Sequence, residues 1–107
     1  PITVIKTGIG TSSEYHRPTL LAIYPNPSNA GTMIHCHLVG EHPAELRVFD
    51  LVGQSVATLP IVPSTSGART VTWSGADDEG HPLASGVYLV QLVQGRYTQA
   101  SKLLLVR

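Results

Sequence analysis

The sequence predicts an all-β fold, an antiparallel sandwich of about seven strands. Three observations predict it. Short apolar or alternating runs recur at intervals near ~8–12 residues. Gly, Pro, Asn and Asp cluster between those runs, where they pre-set turn geometry. No window between the scattered Pro and Gly is long enough for a helix.

Taken in order, residues 1–19 mix Gly, Ser and Thr with one apolar run, Ile2 to Ile5, and read as a linker or upstream extension. The folded domain is expected over 20–107. Its first strand, 20–24, is stopped by Pro25 and Pro27, which lack the N–H a ladder needs. Over 32–38, Thr32, Ile34, Cys36 and Leu38 fall on one face, with Met33, His35 and His37 on the other. A strand at 45–49 follows, then the turn Asp50 to Gly53 and a return strand at 54–59. Residues 60–67 read as a loop. The strand 69–73 places Val71 and Trp73 on one side. Residues 74–85 carry Gly75, Asp77, Asp78, Gly80 and Pro82, dense turn chemistry. The run 86–93 is the most strand-like, Gln94-Gly95 is expected to turn, and 97–106 closes the chain. Ile34, Val48, Val71, Trp73, Tyr88 and Leu92 form the expected core.

Composition narrows the function. The 107 residues fit a single core. Apolar residues make 42% and charged residues only 13% of the chain, which carries a formal net charge of +0. A nucleic-acid binder needs a basic footprint that this balance lacks. No apolar run approaches the ~20 residues of a membrane helix. The single cysteine, Cys36, excludes an internal disulfide and reads as a small buried hydrophobe. Pro1 in place of Met is expected of a processed product or an excised piece.

Five motifs in order carry a resemblance. They are Tyr24-Pro25-Asn26-Pro27, Val48-Phe49-Asp50-Leu51-Val52-Gly53-Gln54, Trp73-Ser74-Gly75-Ala76-Asp77-Asp78-Glu79-Gly80, Leu83-Ala84-Ser85-Gly86-Val87-Tyr88, and Lys102-Leu103-Leu104-Leu105. Over 20–107 the chain resembles the C-terminal sorting domain, type A, of proteins exported by the type IX secretion system. It is also similar to the immunoglobulin-like domain of the flagellar hook-capping protein. Ser74 and Ser28 depart from the pattern, which often has Asp or Asn, and an aromatic, at those places. The resemblance implies an immunoglobulin-like sandwich and an export address rather than a reaction. Its implied partners are the secretion translocon and a sortase-like peptidase. It also implies a secreted or cell-surface location in a Gram-negative bacterium, reached via the periplasm. The end of the chain at Arg107, just after the family's last strand, suits a natural C-terminus.

Each motif also has a plain structural reading. Tyr24, Pro25, Asn26 and Pro27 make a rigid corner. Trp73 shares a face with Val71 and anchors the core; with only 6% aromatics, a coplanar sugar platform is disfavoured. Asp77, Asp78 and Gly80 cap a turn rather than bind calcium, because the 12-residue ligand pattern is missing. Gly86 permits an unusual φ, and Tyr88 suits a tyrosine corner. His35 and His37 are two ligands without a third. No nucleophile elbow, phosphate loop or zinc-protease motif occurs, so no catalysis, cofactor or metal is expected. The last strand is apolar on both faces, so one parity needs cover. The surface expected to meet a partner is therefore the edge at Lys102, Leu104, Val106 and Arg107, where an added strand is one mode of recognition. A monomer is expected of the isolated domain. Three other readings stay open: an accessory domain of a secreted hydrolase or adhesin, a subunit of an extracellular assembly, and a carbohydrate-binding module.

Overall fold

Alternation of apolar and polar side chains dictates which face of each strand is buried. In the computed structural model, which describes residues 17–29, 31–62 and 67–107, that alternation closes two sheets over one core. The strands are β1 (Thr19–Tyr24), β2 (Thr32–His37), β3 (Ala44–Phe49), β4 (Ser55–Ile61), β5 (Ala68–Trp73), β6 (Gly86–Gln94) and β7 (Tyr97–Leu105). A three-stranded sheet runs β1-β2-β5 and a four-stranded sheet runs β4-β3-β6-β7. All five strand pairings are antiparallel. This is the predicted all-β immunoglobulin-like sandwich. Of the linker reading for 1–19, all but Arg17, Pro18 and Thr19 lies outside the described residues, and Thr19 already belongs to β1.

The core takes Ile34, Cys36 and Leu38 from β2 and its end, Trp73 from β5, Leu46 and Val48 from β3, and Ala57 and Ile61 from β4. Tyr88, Val90 and Leu92 of β6 and Leu103 and Leu105 of β7 complete it. Val71 packs at its margin, partly buried. Each large aliphatic so buried contributes about 1.5–3 kcal/mol, which suits a chain with no disulfide. The buried polar residues Ser28, Thr32 and Gln94 are satisfied. Gln94 accepts from the Val39 N–H at 2.8 Å and donates to the His42 carbonyl at 3.0 Å, tying the β2–β3 loop over one end. Thr32 Oγ1 donates to the Pro25 carbonyl at 3.2 Å.

Two boundaries differ from expectation for identifiable reasons. β4 continues through Pro60 and Ile61 because Ile61 pairs with Ala44 and is buried. The hairpin turn after β6 is Gly95-Arg96 rather than Gln94-Gly95. Gln94 pairs with Tyr97, and Gly95 takes the positive φ of 61° that a two-residue hairpin demands.

The four-stranded sheet has two outer edges, and a loop covers part of each. At β7, Asn26 Nδ2 donates to the Lys102 carbonyl and Asn26 Oδ1 accepts from the Leu104 N–H, both at 3.0 Å. Ser28 N–H donates to the Leu104 carbonyl at 2.9 Å, and its carbonyl accepts from Val106 N–H at 2.8 Å. At β4, the Asp78 N–H donates to the Val56 carbonyl at 3.2 Å, and Asp78 Oδ1 accepts from Thr58 N–H at 2.9 Å. The next outward position on β4 is Pro60, which has no N–H to offer. Unpaired edges template association, and these contacts remove that template over Lys102 to Val106 and over Val56 to Pro60.

Two substitutions report on the core and the edge. Trp73→Ala is expected to cost ~3–5 kcal/mol in urea unfolding. Asn26→Ala deletes both side-chain bonds to β7 and is expected to cost ~1–2 kcal/mol, with Asn26→Asp, which keeps only the acceptor, in between. Unchanged midpoints would remove the edge contacts from the account.

Candidate recognition surface

The outward faces of β3, β6 and β7 form one continuous surface. Cross-strand registry aligns Phe49 with Leu89 and Lys102, Arg47 with Gln91 and Ala100, and Glu45 with Val93 and Thr98. Val87 lies opposite Leu104. The surface is thus graded. Glu45 and Arg47, paired to each other, lie toward one end, and Phe49, Val87, Leu89 and Leu104 gather at the other. Leu89 is 44% exposed, and the turn after β3 adds Leu51 at 78% and Val52 at 86%. A groove of about 470 Å³ runs between them, lined by Phe49, Leu51, Gly53, Val87, Leu89 and Lys102 among others. The turn that carries Leu51 and Val52 is held firmly. Asp50 Oδ1 accepts from the N–H groups of Val52 and Gln54 at 3.0 and 2.9 Å, and Gly53 takes a φ of 88°. Apolar side chains are therefore displayed on a braced frame, an arrangement that suits recognition of a partner.

The residues singled out from the sequence separate into two groups. Lys102 and Leu104 lie on this outward surface, and Val106, 49% exposed, ends it. Arg107 turns onto the domain's own loops. Its Nε donates to the Leu83 carbonyl and its Nη2 to the Gly75 carbonyl, both at 2.6 Å, and its backbone N–H donates to Ser85 Oγ at 2.8 Å. The expectation that the edge over 102–106 recruits another strand is corrected: Asn26 and Ser28 already hold the outward backbone groups there. What remains available on this strand is its side chains.

The other motif residues hold the frame. Tyr24 stacks on His35 with ring centroids 4.9 Å apart. The bonds Tyr24-Pro25 and Asn26-Pro27 are both cis, and the corner they form aims Asn26 at β7. Trp73 Nε1 donates to the Ala76 carbonyl at 3.0 Å. Tyr88 Oη donates to the Ala84 carbonyl at 2.7 Å, the tyrosine-corner bond expected of this residue. Gly86 takes a φ of 155°, disfavoured for a residue with a Cβ. Gly80 N–H donates to the Asp77 carbonyl at 3.0 Å, closing the turn. Asp77 Oδ1 accepts from the N–H groups of Glu79 and His81, both at 2.9 Å. Asp77, Glu79 and His81 bring ligand atoms within 4.8 Å of one another, but Glu79 and His81 are exposed and one Asp77 oxygen is engaged in capping. His35 has both ring nitrogens engaged, with Thr70 Oγ1 and Tyr24 Oη, each at 2.8 Å. Cys36 is 1% exposed, and burial pushes its thiol pKa up against the opposing charge of Arg69.

Phe49, Val87 and Leu89 were not singled out in the sequence, although a signal was present. Phe49 is out of phase with Leu46 and Val48, and β6 is apolar on both parities, so a second face had to be exposed or covered.

The turn cap predicts a pH effect. The N–H of His81, that of Glu79 and the His81 ring hold the Asp77 carboxyl below its ordinary 3.8. The unfolded chain therefore binds a proton at this position more readily than the folded one. The contribution to stability is present above about pH 4 and is lost as pH falls through the lowered value. Asp77→Asn is expected to flatten the acid limb of a stability-against-pH curve while leaving its alkaline limb unchanged. An acid limb of unaltered slope would count against this assignment.

Comparisons place the fold among known proteins. No curated protein matches the chain. Dimeric latent PorU from Porphyromonas gingivalis contains a similar fold, with a TM-score of 0.67 at 17% identity over 83% of this chain. PorZ, described as an essential bacterial surface component of the type-IX secretion system of the same organism, matches with a TM-score of 0.60 at 22% identity over 80% of the chain. The chain spans only 9% and 11% of those proteins, so the likeness is one of fold. The FlgD Ig-like domain model matches residues 36–98, more than half of the sequence, running from β2 into β7 and taking in the turn cap, the tyrosine corner and most of the outward apolar surface; the chain belongs to the FlgD Ig-like domain family.

Proposed function

We propose that the chain is a non-catalytic recognition module that directs an attached passenger across the outer membrane through a type IX secretion system. The observation that carries this reading is the rigid apolar surface around Phe49, Leu89 and Leu104, beside motif residues that serve the frame. The ordered resemblance of 20–107 to sorting domains supports it, as does a shared fold with a surface component of that system. The receptor is a translocon protein that covers the apolar end of the surface and pairs with Lys102. A sortase-like peptidase then acts on the passenger, at the bacterial surface or outside the cell. The surface recognises side chains rather than adding a strand, because the β7 edge beneath it is occupied by Asn26 and Ser28.

The test fuses the whole chain to the C-terminus of an inert reporter in a bacterium that has the system. Export of the reporter is expected. Leu89→Glu sets a charge among apolar groups of the receptor and is expected to reduce export by about tenfold or more. Circular dichroism of the purified fusion checks that it remains folded. Reporter held in the periplasm, with the unaltered domain folded, would reject the function. Normal export of a folded Leu89→Glu fusion would reject the surface alone.

A further inference from the structure

The three-stranded sheet ends at β5, and β5 differs from the other outer strands. β7 is covered by Asn26 and Ser28 over Lys102 to Val106, and β4 by Asp78 and Pro60. β1 has a register shift between Leu20 and Ala22, and its Leu20 N–H is bonded to the Gln99 side chain of β7. β5 is a regular strand of six residues, Ala-Arg-Thr-Val-Thr-Trp, paired without a bulge to β2. The Leu38 N–H donates to the Gly67 carbonyl at 2.7 Å. This bond continues the ladder and assigns the odd-numbered positions of β5 to the bonds with β2. The N–H and C=O groups of Ala68, Thr70 and Thr72 therefore point outward, and no described residue bonds to them. Proline and lysine are absent from this strand, and its one charge, the inward-pointing Arg69, guards the edge against a strand that brings no partner for it.

One side chain on this edge has unmet chemistry. Arg69 has the inward parity of Val71 and Trp73 and is only partly exposed. Its Nε is fully buried and makes no hydrogen bond. Among the described residues no carboxylate forms an ion pair with it. A guanidinium does not shed its proton, so a buried Nε–H can be satisfied only by an acceptor brought to it.

We propose that the outer edge of β5 takes up an extended acidic peptide as an additional antiparallel strand, with a carboxylate of that peptide on the Arg69 guanidinium. The outward groups of Ala68, Thr70 and Thr72 supply the ladder. Arg69 falls at a non-hydrogen-bonded position of the new pair, where facing residues approach most closely, about 4.5 Å between Cα atoms. A Glu or Asp there meets the open end of the guanidinium, and a turn of the Arg69 side chain presents Nε and an Nη in the two-pronged geometry that Arg favours. A second copy of this chain is a poorer occupant, since β5 carries no carboxylate and a β5–β5 pair would leave both Arg69 Nε–H groups unmet. This site lies on the other sheet from the export surface and does not depend on that reading.

The test uses the full ¹⁵N-labelled chain and two capped peptides, Thr-Val-Glu-Val-Thr and Thr-Val-Gln-Val-Thr, at millimolar concentration. Amide hydrogen exchange at Ala68, Thr70 and Thr72 is expected to be fast in the free chain and to slow with the Glu peptide. The Gln peptide is expected to bind about fivefold more weakly, the difference between a charge-assisted and a neutral bond. Arg69→Gln should abolish that preference. Thr70→Pro removes an outward donor and spares the backbone bonds to β2, losing there only the Thr70 Oγ1 contact with His35, and should abolish protection by either peptide while amides away from His35 and Thr70 keep their positions. Slow exchange in the free chain, equal affinity for the two peptides, protection mapping to another strand, or no protection by the Glu peptide would each overturn the proposal.

Discussion

Closure of the four-stranded sheet at its two edges is the constraint on which the rest of the molecule depends. A sandwich of this size buries its apolar side chains readily, but it leaves outer strands whose backbone groups still need partners. Here the partners come from two loops that are remote in sequence. The corner after β1 reaches β7 through Asn26 and Ser28, and the loop after β5 reaches β4 through Asp78. Each contact also ties one sheet to the other, since β1 and β5 belong to the three-stranded sheet. The Arg107 bonds to Gly75 and Leu83 extend the same arrangement to the end of the chain.

This constraint gives the short motifs of the chain their structural roles. Tyr24-Pro25-Asn26-Pro27 looks like a turn, yet its work is done on β7, more than seventy residues away. Asp77 and Asp78 are adjacent but act separately. One carboxylate caps its own turn, and the other holds the edge of β4. A pair of aspartates that suggests a cation site is thereby accounted for by backbone donors.

Much of the fold was legible because period-2 alternation is strong in β2 and β3, where Ile34, Cys36, Leu46 and Val48 leave one choice of buried face. Trp73 was legible as an anchor from the face it shares with Val71, and Tyr88 from the tyrosine-corner pattern. The ends of β4 and β6 were not. Pro60 suggests a loop unless it is known to occupy an outer strand with its ring toward an edge. Gln94 looks like a turn residue until it is seen to satisfy Val39 and His42 from a buried position. The candidate surface was half legible. Lys102 and Leu104 followed from an apolar last strand. Phe49 and Leu89 did not, because their exposure depends on which strands lie beside them, and strand order is not written in local periodicity. Arg107 was misplaced because a terminal arginine gives no sign of the carbonyls it will reach.

The division of labour that results has a consequence for where specificity can reside. Motif residues whose side chains are committed to Ala76, Ala84, Lys102 or Thr58 within the domain cannot also be the groups that distinguish one partner from another without loosening the frame. Discrimination must then fall to positions with no internal bond to lose. On the four-stranded sheet these are Leu51, Val52 and Leu89, held outward by a braced turn and a central strand. Substitution there changes what a partner meets at little cost to folding, since exposed side chains away from caps and cores usually shift stability by no more than ~0.5 kcal/mol. A family that keeps its frame motifs while serving different partners is expected to vary in this part of its surface, and the rigidity supplied by Asp50 and by the two edge loops is what lets such variation alter recognition without altering the fold.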